Sequence, residues 1–588
     1  MVDLGFTTET RRALRSIESL NLPETPTKRL LDQLEDAKRN FSPGQHQKIV
    51  QLLTRLKQHK FKDAETLVRY HEILLFLRAY PQSSRIVQTV DDELSNFAGR
   101  VESLAKAGAK LDALDEAEVS GIVGRPVTDT LNYYIVRWLA QRYPTQISID
   151  WDWFENENRL AETWPRFMPL FEEDALVEAN VPYQQWLDTA RGRVRALAWL
   201  VNRFDSLPLA VKEKAELYDS LQLYVSWTPS FRLSRTGMRL PPRQIFFHRR
   251  PLIQRRDVSL QAQIEASPPE IIRLPVRQGA AILELARATS TLRYRELYGF
   301  THGDPARVLK ASLGRGVELY VTSLPASRRL PLRAYHAAMI FKNGIPVGYF
   351  EGLSLFERME SGFNLYYTFR DGETAWLYAR TLNVFRHLLG VTVFVLDPYQ
   401  IGYRNEEGIE SGAFWFYRKL GFRPTRRELL QMTALEEKKI SAKSAYRTPK
   451  TVLRKLAAGP MIFELERSQI GEWDRFQMRN IGFAVQRHMA AHFNGDASKF
   501  RSDSVRAITR LLGTDLSEWR EAQLPALNDF AVALSLVPEL GRWSAAEKKM
   551  LAEIIRAKAG ADESRFLKLM QKHPRLRVAI IKLGSSLR

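Results

Sequence analysis

The sequence has no cysteine among its 588 residues, which excludes disulfides, thiolate nucleophiles and Cys-ligated zinc or iron–sulfur centres. It has no run of about 18 uncharged apolar residues. The first stretch, Met1-Val-Asp-Leu-Gly-Phe-Thr-Thr-Glu-Thr-Arg-Arg12, contains no apolar segment of signal-peptide length. The expectation is a soluble, unexported, cytoplasmic protein without a transmembrane segment. No signature recurs at a period of roughly 30 to 45 residues, so a helical solenoid has no support. Metal-binding patterns are also thin. Arg487-His-Met-Ala-Ala-His492 places two histidines at i and i+4, without the Glu of HExxH and without an evident third ligand, so no metal is expected.

What is present is an ordinary folded composition, 45% hydrophobic and 26% charged, in a chain too long for one core. At about 150 residues per domain it divides into three or four units. Lys and Arg number 87 against 67 Asp and Glu, a net charge of +20, and a field of that sign gathers anions. Nucleic acid, a phosphorylated cofactor and an anionic surface all fit it. The excess is local: residues 229–256 hold eight Arg and no acid, and residues 422–460 hold ten Lys or Arg against three Glu. Each such stretch reads either as a solvated face or as a grip on an anionic partner.

Residues 1–225 read as a helical domain. Ser42-Pro-Gly-Gln45 has the form of a capping box ahead of Ile49, Leu52, Leu53 and Leu56. Further helical patterns cover Asp63 to Arg78, Tyr133 to Arg142 and Tyr183 to Phe204. The cluster Asp150-Trp-Asp-Trp-Phe-Glu-Asn-Glu157 suits either a helix start, with aromatics turned to the core, or a grip on a cation or basic partner. Residues 226–278, broken by seven prolines, read as a basic Pro-rich connector. Phe246-Phe-His-Arg-Arg250 and Gln254-Arg-Arg256 mix rings with cations, as a single-strand binder does, and a linker laid across another domain has the same composition. His302 and Asp304 are second-rank acid–base candidates, because Asp304-Pro also starts a helix. Residues 431–588 read as a helical C-terminal domain, with Ser544-Ala-Ala-Glu547 a capping box.

Between these lie the strands. Val317 to Val321, Tyr335 to Lys342 and Ile345 to Phe356 form a meander with Asn343-Gly344 as a type I′ turn, and Gly362 to Phe369 pairs next. The turn Arg370-Asp-Gly-Glu-Thr-Ala375, a helix and the β-branched strand Val391 to Val395 complete a βαβ crossover. A short amphipathic helix, Ala413-Phe-Trp-Phe-Tyr417-Arg-Lys-Leu-Gly421-Phe422, follows. These residues resemble the acyl-CoA-dependent N-acyltransferase superfamily with the GNAT fold. The resemblance spans about 140 residues and places the acyltransferase-like domain at 279–430. The expected fold is α+β: a central mixed, mostly antiparallel GNAT-like sheet flanked by N-terminal and C-terminal all-helical domains. The family closes its sheet with one or two strands after this helix. Here Thr425 to Lys439 reads as helix, so those strands are missing, shortened or supplied from elsewhere.

The resemblance implies acetyl-CoA or another acyl-CoA as co-substrate and an amine acceptor that the sequence does not identify. The pyrophosphate would rest on Arg370, Gly372, Thr374 and Ala375 at a helix N-terminus, and the pantetheine arm over the small Ala413. Tyr417, one helical turn on, would be the general acid that protonates the departing thiolate; a phenol's ordinary pKa near 10 suits a proton donor. Glu351, Asp397 and Glu410 are the carboxylates placed to assist the amine. Glu373 stands where the family carries its central glycine, and a carboxylate there repels a pyrophosphate unless it points away. The alternative is an inactive fold that holds nucleic acid or another anionic partner through its basic flanks.

Overall fold

In the computed structural model, which describes residues 26–153, 158–161, 163, 166, 167 and 182–585, the strands gather in two sheets. The smaller contains β1 (Val127–Thr130), β2 (Ile147–Ile149) and β3 (Tyr224–Trp227) in the order β1-β3-β2. The larger has nine strands: β4 (Glu270–Arg273), β5 (Leu309–Gly314), β6 (Val317–Ser323), β7 (Ala334–Lys342), β8 (Ile345–Leu355), β9 (Arg358–Leu365), β10 (Val393–Leu396), β11 (Arg423–Pro424) and β12 (Met461–Glu464). Their order is β11-β12-β10-β9-β8-β7-β6-β5-β4. β9 and β10 pair in parallel, while the other neighbours pair antiparallel. The protein is therefore mixed α+β, with a mostly antiparallel central sheet and helices at both ends.

Local chemistry explains the hairpin and the crossover. Asn343 and Gly344 have φ of 49° and 81°, the two positive values that a type I′ turn requires. The crossover helix Thr374–Leu389 stops at Gly390, with φ of 76°. There the Gln571 side chain donates to Leu389 O at 2.9 Å and to Phe356 O at 3.0 Å, so a C-terminal helix caps the carbonyl end of the crossover. β7 is buried at all nine positions because both faces of the sheet are covered, which removes the polar alternation of a one-sided strand. On one face His336 and Phe350 meet Phe385 of the crossover helix. On the other, Tyr335 packs edge-on against Tyr298 at 5.8 Å.

The expected boundaries shift in several places. Residues 1–225 are not all helical, since β1, β2 and the first half of β3 lie within them. They also divide between two cores: residues from Leu31 to Val123 pack with the large sheet, while the segment around Val127, Tyr133, Phe204 and Trp227 has its own core. The helix expected to be capped by Ser42 begins at Gln45 behind a left-handed Gly44 and has no side-chain cap. The Tyr183 to Phe204 pattern breaks at Gly192 (φ 56°) into two helices. Finally, β4 and β12 lie outside 279–430. The helices Arg427–Ala442 and Lys450–Leu456 are inserted between β11 and β12, so the closing strands are one very short and one displaced.

The strand expected at 362–369 starts earlier, at Arg358, and ends at Leu365, with Tyr367–Phe369 forming one 3₁₀ turn. The Pro-rich stretch is fastened down along its length. Leu240 N–H donates to Gly344 O, His248 N–H to Pro81 O and Phe246 N–H to Asn343 Oδ1, each at 2.8 Å. Of the Asp150 cluster, Trp151–Trp153 form a 3₁₀ turn and residues 154–157 lie outside the described residues, as does the N-terminal stretch. Among the described residues no helix is long and apolar enough to cross a membrane.

Candidate functional site

A parallel strand pair can be bridged only as far as both strands run together. β9 and β10 stay in register over Arg358–Glu360 and Val393–Val395. Beyond that, β9 continues against β8 to Leu365, while the chain after β10 turns off through Pro398–Ile401. The strands part, and a cleft of about 230 Å³ opens between them, walled by β9, Arg370, Thr374, Gln400, Glu407, Ala413 and Tyr417.

The cleft edge of β9 is polar backbone. Glu357 O accepts from Thr392 and Val393 N–H, so odd-numbered residues turn their N–H and C=O towards β10. Phe363 O and Leu365 O follow this rule, accepting from Gln400 Nε2 at 2.9 Å and Arg370 Nε at 3.2 Å. The N–H groups of Phe363 and Leu365 face the cleft by the same alternation.

Tyr417 and Ala413 share one face of the short helix Ala413–Arg418. The Tyr417 ring packs edge-on against Tyr378 at 5.4 Å and Phe422 at 5.7 Å. Burial pushes its phenol pKa well up, against a hydrogen bond with Gln400. The hydroxyl therefore keeps its proton at neutral pH and is a donor in waiting.

The Arg370–Ala375 turn divides between two sides. Arg370 and Thr374 line the cleft, and the Thr374 hydroxyl donates to Arg370 O at 2.9 Å. The next helix has no side-chain cap at its N-terminus. Gly372 lies against the Tyr80 hydroxyl, where a Cβ would come within 2.4 Å of it, and Ala375 is buried. Neither lines the cleft. Asp371 pairs with Lys38 and Arg39 at 3.6 and 3.5 Å. Glu373 points away from the cleft: it is 1% exposed and accepts from Ile253 N–H and Arg315 Nε, each at 3.1 Å. Lys342 Nζ stands 3.7 Å from it. Burial lowers the Lys342 pKa to about 7, with Glu373 pulling the other way.

The three expected carboxylates are dispersed. Glu351 bonds the Tyr335 hydroxyl, and burial raises its pKa. Asp397 accepts from Tyr399 N–H at 2.8 Å at the start of its turn, and burial raises its pKa too. Glu410 pairs with Lys450 at 3.2 Å. None of them lines the cleft.

The carboxylate that does is Glu407, which sequence reasoning missed. It pairs with Arg370 and, at 3.2 Å, with Arg295. Burial pushes its pKa up, but the two guanidinium groups outweigh that and hold it below the ordinary range. The available signal was Asn405, which caps the helix Glu406–Glu410 by accepting from Gly408 N–H at 3.2 Å.

His302 and Asp304 do not form an acid–base pair. His302 is sandwiched by Tyr134 and Tyr298, each at 4.6 Å, and burial lowers its pKa to about 4. Asp304 caps Pro305–Arg307 and pairs with Arg307 at 2.8 Å. The His488 and His492 rings lie 4.5 Å apart. In the basic stretch, Arg235 is consumed internally by Glu72 and Thr368, and Phe246 packs against Arg315 and Lys342. Arg249, Arg250 and Arg256 are exposed and Arg255 half-buried. Comparison with protein-family models, with curated proteins and with solved structures finds no match.

Proposed function

We propose that this protein is an acyl-CoA-dependent N-acyltransferase with a GNAT-like central domain, moving an acyl group from the CoA thioester to an amine. The observation that carries the reading is the parting of β9 and β10 into a cleft that collects Arg370, Thr374, Ala413 and Tyr417. The thioester lies in the parted strands with its carbonyl oxygen towards the N–H groups of Phe363 and Leu365, which stabilise the oxyanion as the amine attacks. The C–N bond forms, the C–S bond breaks, Tyr417 passes its proton to the leaving thiolate, and the proton the amine sheds to solvent is matched by one that solvent returns to the Tyr417 phenolate. Positioning supplies much of the rate. The inward turn of Glu373 supports the reading, since the carboxylate that would oppose a pyrophosphate is occupied elsewhere.

Isothermal titration with acetyl-CoA and longer acyl-CoAs, followed by turnover on small amines, tests this. Saturable binding with release of free CoA thiol is expected, and no binding of any acyl-CoA sinks the proposal. One observation favours a second reading. The exposed Arg249, Arg250 and Arg256 suit a fold kept for holding nucleic acid. Salt-sensitive retention on single-stranded RNA or DNA, lost with alanine at Arg249, Arg250, Arg255 and Arg256, supports that instead.

A further inference from the structure

We infer that Glu407 is a resident counter-ion, held on Arg370 and Arg295 in the place of a ligand's phosphate, and that a phosphorylated ligand enters the cleft by expelling it. The identity of that ligand as an acyl-CoA rests on the function proposed above; the expulsion does not.

Two cations from separate parts of the chain converge on one carboxylate. Arg370 precedes the crossover helix and Arg295 follows the helix Val276–Thr291. Each has another anchor: Arg370 Nε on Leu365 O at 3.2 Å, and Arg295 Nη1 on the Tyr349 hydroxyl at 3.3 Å. Removing the carboxylate therefore leaves both guanidinium groups in position. Two cations against one carboxylate also leave a surplus positive charge, which a phosphate dianion neutralises in full. Arginine forks match phosphate geometry at least as well as carboxylate.

The pairing is built to exchange. The Arg370, Glu407 and Arg295 side chains are 34%, 37% and 40% exposed, and ion pairs open to water are weak. The segment that carries Glu407 is held independently. Glu406 takes both arms of Arg454 at 2.8 and 2.9 Å, and Glu410 takes Lys450 at 3.2 Å. Left-handed residues flank it at Gly402, Arg404 and Gly412. The short helix stays docked while the Glu407 side chain alone rotates away.

The test titrates the full chain and its Glu407→Gln variant with CoA, with pantetheine, which lacks phosphate, and with inorganic pyrophosphate. The variant should bind CoA and pyrophosphate about tenfold more tightly and pantetheine no differently, and the gain should vanish in Glu407→Gln with Arg370→Gln. Equal affinity of both proteins for CoA and pyrophosphate overturns the inference, as does an equal gain for pantetheine. If pyrophosphate shows the gain and CoA does not bind, the counter-ion stands and the acyl-CoA reading falls. If nothing binds either protein, both fall.

Discussion

Replacing Glu373 separates two accounts of the Arg370–Ala375 turn. Its carboxylate is buried with Arg315, with a fully buried Lys342 and with the Ile253 N–H. Removing one partner of a buried ion pair costs about 3–5 kcal/mol, because the other charge is left unpaired. An unsatisfied buried N–H adds about 1–3 kcal/mol. Lys342 softens this by giving up its proton, which it already holds only to about pH 7, whereas Arg315 cannot. Glu373→Ala should therefore destabilise by about 3 kcal/mol. Glu373→Gln should cost about half as much, since it still accepts from Ile253. Urea unfolding followed by tryptophan fluorescence at neutral pH measures both. An alanine variant within about 0.5 kcal/mol of the parent, the range of ordinary surface changes, refutes the buried placement. Affinity gives a second arm. A carboxylate about 4 Å from a pyrophosphate charge would oppose it by roughly 4 kcal/mol at an effective dielectric near 20. Removing it from a cleft would then tighten acyl-CoA binding more than a hundredfold. Because Glu373 faces away, Glu373→Gln should change that affinity less than about twofold.

Tyr417→Phe should lower kcat by about 100-fold, the lower range for loss of a general acid, with KM nearly unchanged; an equal loss in KM alone would make the residue a binding wall. Lys342 has a folded pKa of about 7 against an ordinary 10.5, so between those values the unfolded chain holds the extra proton and stability rises with pH. At about 1.4 kcal/mol per unit the rise amounts to at most about 5 kcal/mol. Lys342→Met should flatten it, as urea midpoints across that range would report, and an unchanged slope contradicts the placement. Arg577 clamps Glu357, which also accepts from Trp473 Nε1 at 2.7 Å. Arg577→Ala should cost about 3 kcal/mol in urea unfolding, and a loss below about 0.5 kcal/mol would show the clamp to be idle.

Features decided by a few neighbouring residues were legible in the chain. Asn343-Gly344 demanded its turn, Asp63 caps its helix by accepting from Thr66 N–H at 2.8 Å, and Ser544 and Glu547 close their box. The spacing of Ala413 and Tyr417 placed both on one face, and with Arg370 and Thr374 they meet at one cleft. What escaped depends on distant partners. Glu373 turns inward because Arg315, Lys342 and Ile253 receive it, and no local pattern announces that. Gly372 and Ala375 sit in the same turn as Arg370 yet face Tyr80 and the core. β11 has two residues and β12 follows two inserted helices, too little and too late for periodicity to register. β4 is an edge strand with mostly exposed positions, so it lacks the alternation of a half-buried strand. Glu407 looked like one acid among several until Arg295 and Arg370 singled it out.

The central claim is that the gap between β9 and β10 receives an acyl-CoA. The most direct measurement is isothermal titration of acetyl-CoA into the intact protein and into Ala413→Trp, which fills the cleft from the half-buried face of a short helix. Saturable binding to the parent that the tryptophan abolishes, with both proteins melting together, is the predicted result. Binding that survives the tryptophan, or no binding to the parent by any acyl-CoA, contradicts it.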